Sequence, residues 1–410
     1  MTARADPASA DAPGVFATLR ATPPAARYLL LGVTINQLGA FVQTFLVLYL
    51  VHRGLSTGRA GIGLGVYSLG AVLGTLLGGE LTHRLGPRGT ITAAMAASAL
   101  LVFTIPWLST PGRYAYLLVA VGLAGAATQA YRPAAATLLS DVMPAAYRVM
   151  AFSLLRIALN IGAALGPLVA AGLILVNWNL LYWVDGITAL AYSALALSLL
   201  PPTPVSPATP DQHGSGRSGY RTLFRDTRFL VYLVSMTLGA LLYVQFLSVL
   251  PLKIDAEGHS TALYSVVLAT SSVILITCEL KVTSYVQRWV PSIAGAVGTT
   301  VLGLGLAGYG LSASAVVIVA ATAVFVTGLM VGGPVRFAHA AKAPAAVKSR
   351  YIGASQAMFG LGSAVGPAVG VLAWNHLGNR MWLLCGIVGL IAGVCSIIGM
   401  RESWEQQPAS

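Results

Sequence analysis

The chain has 410 residues and a net charge of +12; 56% of its residues are hydrophobic, 9% are charged, and the mean hydropathy is +0.78. A soluble domain carries about a quarter charged residues, so too few ionic side chains are present to coat a soluble surface of this length, and soluble-enzyme classes are excluded. Nucleic acid is not an expected partner either, because the basic residues sit in short loops between apolar runs, where lipid topology accounts for them.

Residues 1–26 are rich in Ala, Pro and Thr, lack the apolar core of a signal peptide, and read as a cytoplasmic tail in which VFATLRA offers at most an interfacial turn or two. From Arg27 onward, apolar runs recur near the ~20 residues that cross a bilayer as helix. Twelve spans are predicted, at 27–51, 59–82, 89–108, 114–140, 149–176, 179–200, 229–250, 260–281, 291–311, 313–338, 351–375 and 380–400. The segment 201–228, with the Pro, Ser and Gly of a flexible linker and four arginines, divides them six and six. The expected organisation is a six-helix bundle over 27–200, a cytoplasmic linker over 201–228, a second bundle over 229–400 and a cytoplasmic tail over 401–410. Sixteen Lys and Arg fall on the side of the termini and five on the other, which predicts a cell-membrane protein with both termini cytoplasmic.

Cys278, Cys385 and Cys395 lie inside apolar runs, and the six histidines are scattered without ligand spacing, so neither a disulfide framework nor a metal site is expected. No GxxxxGK phosphate loop is present, so no nucleotide cofactor is expected and the energy for any work must come from a gradient.

The second half repeats the first at an offset of 200 residues. Leu38-Gly39-Ala40 falls on Leu238-Gly239-Ala240, Pro144-Ala145-Ala146 with Arg148 on Pro344-Ala345-Ala346 with Lys348, and Gly162, Gly166 and Pro167 on Gly362, Gly366 and Pro367. Two like halves with a long tether form a pseudosymmetric pair whose interface can open to one side and then the other, which is the geometry of a carrier.

The loop between the second and third spans reads Gly79-Glu80-Leu81-Thr82-His83-Arg84-Leu85-Gly86-Pro87-Arg88. It resembles the G-x-L-a-D-R-x-G-R-R signature of the major facilitator superfamily, and the fifth span, Gly162 to Gly172, is similar to the g-x-x-x-G-P-x-x-G-G motif of its twelve-span drug:proton antiporter group. The resemblance covers Arg27 to Met400. It implies an all-α membrane fold of twelve helices in two pseudosymmetric six-helix bundles, acting as a monomer, with a gate formed by Gly79, His83, Arg84, Gly86, Arg88, Asp141, Gly162, Gly166, Pro167, Gly366 and Pro367. It also implies an ion pair between Arg88 and Asp141. His83 stands where the family has an Asp that braces the opposite half, so either the gate is latched less firmly or another acid substitutes. Glu80 is the nearby candidate, its alternative being a local pair with Arg84. The arginine usual near position 121 of the fourth span is Val121 here.

Charges within spans are costly and by default mark a bundle interior or an aqueous cavity. Arg132 and Arg156 lie at similar depth, roughly 13 Å and 12 Å from Asp141 and Arg148 along their helices; together they can attract an anion, or each can bond helix carbonyls. Asp185, Glu80 and Glu279 are the proton-coupling candidates. A fixed hydrogen bond competes for Asp185, and a local pair with Lys281 for Glu279. Arg336 is expected to meet helix ends or lipid headgroups. Asn36, Gln37 and Gln43 in the first span and Tyr243 and Gln245 in the seventh are candidates for a mostly apolar substrate cavity, with interhelix hydrogen bonding as the alternative. The expected function is proton-coupled export of a moderately hydrophobic small molecule, a drug or natural product, by alternating access, with no enzymatic activity; the substrate, protons and membrane lipids are the expected partners. The alternatives are a metabolite importer or facilitator of the same fold and a non-transporting receptor or lipid-handling protein.

Overall fold

The computed structural model describes residues 15–202 and 223–401. The expectations for 1–14, most of the linker (203–222) and 402–410 lie outside the described residues. The ordered elements are helical: α1 (Val15–Ala21), α2 (Pro24–Leu38), α3 (Val42–His52), α4 (Thr57–Leu108), α5 (Tyr114–Val142), α6 (Arg148–Val176) and α7 (Leu180–Leu199) precede the linker. After it come α8 (Thr227–Ser248), α9 (Leu250–Ala256), α10 (Thr261–Val286), α11 (Pro291–Gly308), α12 (Ala315–His339), α13 (Lys348–Leu377) and α14 (Met381–Gly399). Val15–Ala21 is a seven-residue helix, about two turns, lying against α10, which is the upper limit of the turn or two expected of it. Pro24 at the first turn of α2 starts the first span earlier than Arg27, since proline suits a helix N-terminus.

Against twelve expected spans, ten apolar runs among the described residues are long enough to cross a membrane, and two of them, Thr57–Leu108 and Lys348–Gly399, are each 52 residues long. Each exceeds twice the ~20 residues of one crossing. Gly86 interrupts the first, with φ 74° and ψ 165°, a conformation that a side chain disfavours. Gly378, at φ 53°, interrupts the second between α13 and α14.

The first span is broken. α2 ends at Gly39, whose missing side chain leaves room for Thr188 of α7; a Cβ there would sit 2.1 Å from the Thr188 hydroxyl oxygen. The chain restarts as α3 with two amides that have no partner in their own helix. Asp185 of α7 supplies it: its Oδ2 accepts from the Phe41 N–H at 3.0 Å and the Val42 N–H at 3.1 Å.

The internal repeat reappears as packing. Gly162 of α6 lies against Gln37 of α2, and Gly362 of α13 lies against Thr237 of α8, the same contact displaced by 200 residues. Small residues four apart let these backbones approach closely. Three of the four hydrophobic clusters are confined to one half of the chain; the fourth joins Ala136 and Phe152 to residues of the second half, at the end of the bundle bearing Arg84–Arg88, Asp141 and Lys348. That end is called the motif face below.

Candidate functional site

Beside the apolar cluster that joins them, the two halves meet at the motif face through polar and backbone contacts. The α carbon of Gly353 on α13 would lie 3.1 Å from a Cβ placed on Gly79 of α4, so the two backbones touch where both residues lack side chains. One turn away, Glu80 Oε2 accepts from Arg350 Nε of α13 at 2.8 Å, while its Oε1 accepts from Arg84 Nε at 2.8 Å. Both readings of Glu80 are therefore realised together: it pairs locally and it bridges the halves. His83 is exposed, within electrostatic reach of Arg350 and Arg84.

Asp141 does not pair with Arg88. Its carboxylate accepts from Lys348 Nζ of α13 at 2.5 Å, and Arg88 donates instead to the Leu197 carbonyl in the last turn of α7. Unpaired carbonyls at a helix C-terminus favour a cation there, and the last turn of α5 faces α13, which turns Asp141 away from Arg88. Ser153 of α6 donates to the Thr283 hydroxyl of α10 at 2.8 Å, and Gln356 Nε2 donates to the Arg132 carbonyl at 3.4 Å. The cross-half hydrogen bonds and ion pairs of Ser153, Arg156, Lys348, Arg350 and Gln356 all lie toward the motif face. The molecule is closed at the motif face.

Deeper in the span layer, Arg156 of α6 crosses between the halves. Its Nη1 donates to the Leu329 carbonyl of α12 at 2.6 Å and lies 3.4 Å from Glu279 Oε1 of α10. Gly333 makes the reach possible, because a Cβ there would stand 1.6 Å from Arg156 Nη1. Glu279 is fully buried, and neither of its carboxylate oxygens has a hydrogen-bond donor among the described residues. The expected local pair with Lys281 gives way to this one, since the Glu279 side chain turns inward, toward the other half.

The Tyr243 hydroxyl lies within electrostatic reach of both Arg132 and Arg156. Arg132 is half-buried and its Nε has no partner among the described residues. The other cavity candidates are dispersed. Gln245 is buried and donates to the Leu241 and Gly366 carbonyls, joining α8 to the Gly366-Pro367 stretch of α13. Gln37 lies under Gly162, whose companion Gly166 faces the same turn of α2; Asn36 is buried and Gln43 exposed. Arg336 meets no headgroup: it is buried, its Nη2 donates to the Ser235 carbonyl at 2.7 Å, and its own carbonyl accepts from the Tyr232 hydroxyl.

Arg350, Leu329, Gly333, Ser153 and Thr283 were not anticipated. Arg350 has no basic counterpart at the equivalent position of the first half, which is Met150, and a backbone carbonyl leaves no mark in a sequence.

The family model of the Major Facilitator Superfamily matches residues 29–367. A Na(+), Li(+), K(+)/H(+) antiporter of Planococcus maritimus is 24% identical over 387 residues, covering 86% of this chain and 90% of that protein. The multidrug resistance protein MdtH of Klebsiella pneumoniae is 25% identical over 379 residues, covering 89% and 91%. Among solved structures, the transporter FucP in its outward conformation superposes with a TM-score of 0.73 at 15% identity, covering 92% of this chain and 96% of that one. Matched by the family model over most of its length and carrying the family's fold, the chain belongs to the Major Facilitator Superfamily and is an integral membrane transporter, not an enzyme.

Proposed function

We propose that the chain is a proton-coupled exporter of a moderately hydrophobic small molecule, with the Arg156–Glu279 pair as its coupling element. The observation that carries this reading is the placement of that pair: a fully buried carboxylate of the second half held by an arginine of the first, with no other donor on it among the described residues. Protonating Glu279 removes the negative charge that Arg156 crosses the interface to meet, so the proton acts directly on contact between the halves. Of the other candidates, Asp185 is committed to two backbone amides and Glu80 to two arginines.

The excess of Lys and Arg at the motif face assigns that face to the cytoplasm, with both termini. The conformation is then outward-facing: closed inside and unlatched outside. Proton entry from outside weakens the inner closure, the protein opens inward, the proton leaves, and cargo binding restores the closure. The names of two relatives, a cation/H(+) antiporter and a multidrug resistance protein, agree with exchange and efflux.

The test is uptake of a fluorescent amphipathic dye by liposomes containing the purified protein, at equal pH and with an imposed gradient. A gradient directed as in cells should drive dye out against protons, and Glu279→Gln should bring the ratio of gradient-driven to equal-pH flux close to one. Dye moving with the protons would identify an importer, binding without flux a receptor, and an undiminished ratio in Glu279→Gln would remove that residue from coupling.

A further inference from the structure

The span interior holds more positive than negative charge. Arg132 is half-buried, every residue from Pro133 to Ser140 beyond it is buried, and its carbonyl accepts from Gln356 of the second half, so it lies at the seam between the halves. No acid pairs with it among the described residues. The charge of Arg156 is met by Glu279. Arg336, from the second half, is within electrostatic reach of Arg156 and is answered by a carbonyl and the Met236 sulfur. Of these three arginines only Arg156 meets a carboxylate, and Asp185 is taken up by Phe41 and Val42.

We propose that Arg132, at the seam and with its Nε unpartnered among the described residues, binds an anionic group of the cargo, a carboxylate or sulfonate carried on an otherwise hydrophobic body. The proposal names the substrate class of the exporter reading and rests on it. A guanidinium with an unpartnered, desolvated N–H is a strong donor to such a group, and the half-buried ring of Tyr243, backed by the buried Phe325, is there for the hydrophobic part.

Charge also gives the exchange its sign. Closing the motif face brings Arg156 of one half toward Arg336 of the other, and like charges resist that approach. A bound anion relieves the repulsion and favours closure, whereas a proton on Glu279 removes the one countercharge and favours opening. Cargo and proton therefore push one equilibrium in opposite directions, which is the condition for exchange.

The experiment uses the full-length protein in nanodiscs and three matched probes, naphthylacetate, naphthylacetamide and naphthylmethylammonium, titrated calorimetrically at one pH. The acetate should bind at least about tenfold more tightly than either of the others. Arg132→Gln should reduce its preference over the acetamide to within about threefold, and Arg132→Lys should retain more of it. Equal binding of the acetamide or the ammonium, absence of acetate binding, or a preference that survives Arg132→Gln would each overturn the proposal; the wild-type comparison stands even if a variant fails to fold. Flux in liposomes separates the two readings. Acetate binding with full preference but no flux would refute export and keep the anion site; pumping of the ammonium with the acetate ignored would do the reverse.

Discussion

Glu80→Gln should shift the protein toward the state in which the motif face is open. The substitution keeps the shape of the side chain and removes the charge that Arg350 and Arg84 share. A fully exposed ion pair contributes ~0–1 kcal/mol, and a hydrogen bond between charged groups away from water ~1.5–3 kcal/mol. Here the Arg350 side chain is 7% exposed and that of Glu80 18%, with a second, exposed arginine competing for the same carboxylate. The cross-half share is therefore about 1–2 kcal/mol, a change of about 5–30-fold in the closed-to-open ratio. Spin labels at Leu85 and Ala346, both exposed on the motif face, report that ratio as a distance distribution once Cys278, Cys385 and Cys395 are replaced by serine. The longer-distance population should grow in Glu80→Gln and in Arg350→Gln, and the double variant should add little to either. An unchanged distribution, or fully additive shifts, would refute the assignment of this pair as the latch.

Gly333→Ala places a methyl group where Arg156 now lies; gradient-driven flux should fall at least about tenfold, and flux equal to wild type would show that Arg156 need not reach α12. Asp185→Ala strands the Val42 amide at a cost of ~1–3 kcal/mol and leaves the Phe41 amide only the Gly39 carbonyl, so the melting temperature measured by thermal shift should drop by several degrees, with Asp185→Asn intermediate; no drop would mean that the helix break holds itself. His83→Asp adds a carboxylate within reach of Arg350 and Arg84 and should raise the closed population in the spin-label assay, an unchanged population showing that position 83 does not face the latch.

Family and helical fold were legible because both leave periodic traces: apolar runs of bilayer length, a duplicated Gly-Gly-Pro pattern and a ten-residue loop signature. Helix breaks were less so. The 27–51 run looks continuous because α2 and α3 are both apolar, and what divides them is a glycine packed against Thr188 together with an acid 144 residues away from Phe41. The depth of Arg132 and Arg156 could be counted along each helix, which placed them together; that Arg156 pairs with Glu279 could not, because rotation about a helix axis is set by tertiary packing. The Arg88–Asp141 pair implied by the family signature failed for the same reason. Pairing across the halves is a property of one conformation, and the alternatives open to Asp141 in a helix–loop–helix differ by small rotations that no spacing records.

The asymmetry between the two faces follows from the chemistry of what closes them. At the motif face the apolar cluster that Ala136 and Phe152 share with the second half is joined by touching glycines and ion pairs, which are short-ranged and directional, so a small separation of α4 from α13 breaks the backbone contact and the Glu80–Arg350 pair together. Within each half the contacts are extended apolar clusters that lose little with a small tilt. Rigid halves and a brittle seam are the combination that alternating access requires: tilt is taken up at the seam, not within the bundles. Arg156 sits where the seam runs deepest, holding α12 by a carbonyl and α10 by a carboxylate. A charge change of one unit at Glu279 is felt there directly, whereas the same change at Asp185 would act first on the break in the first span and only through it on the partner half.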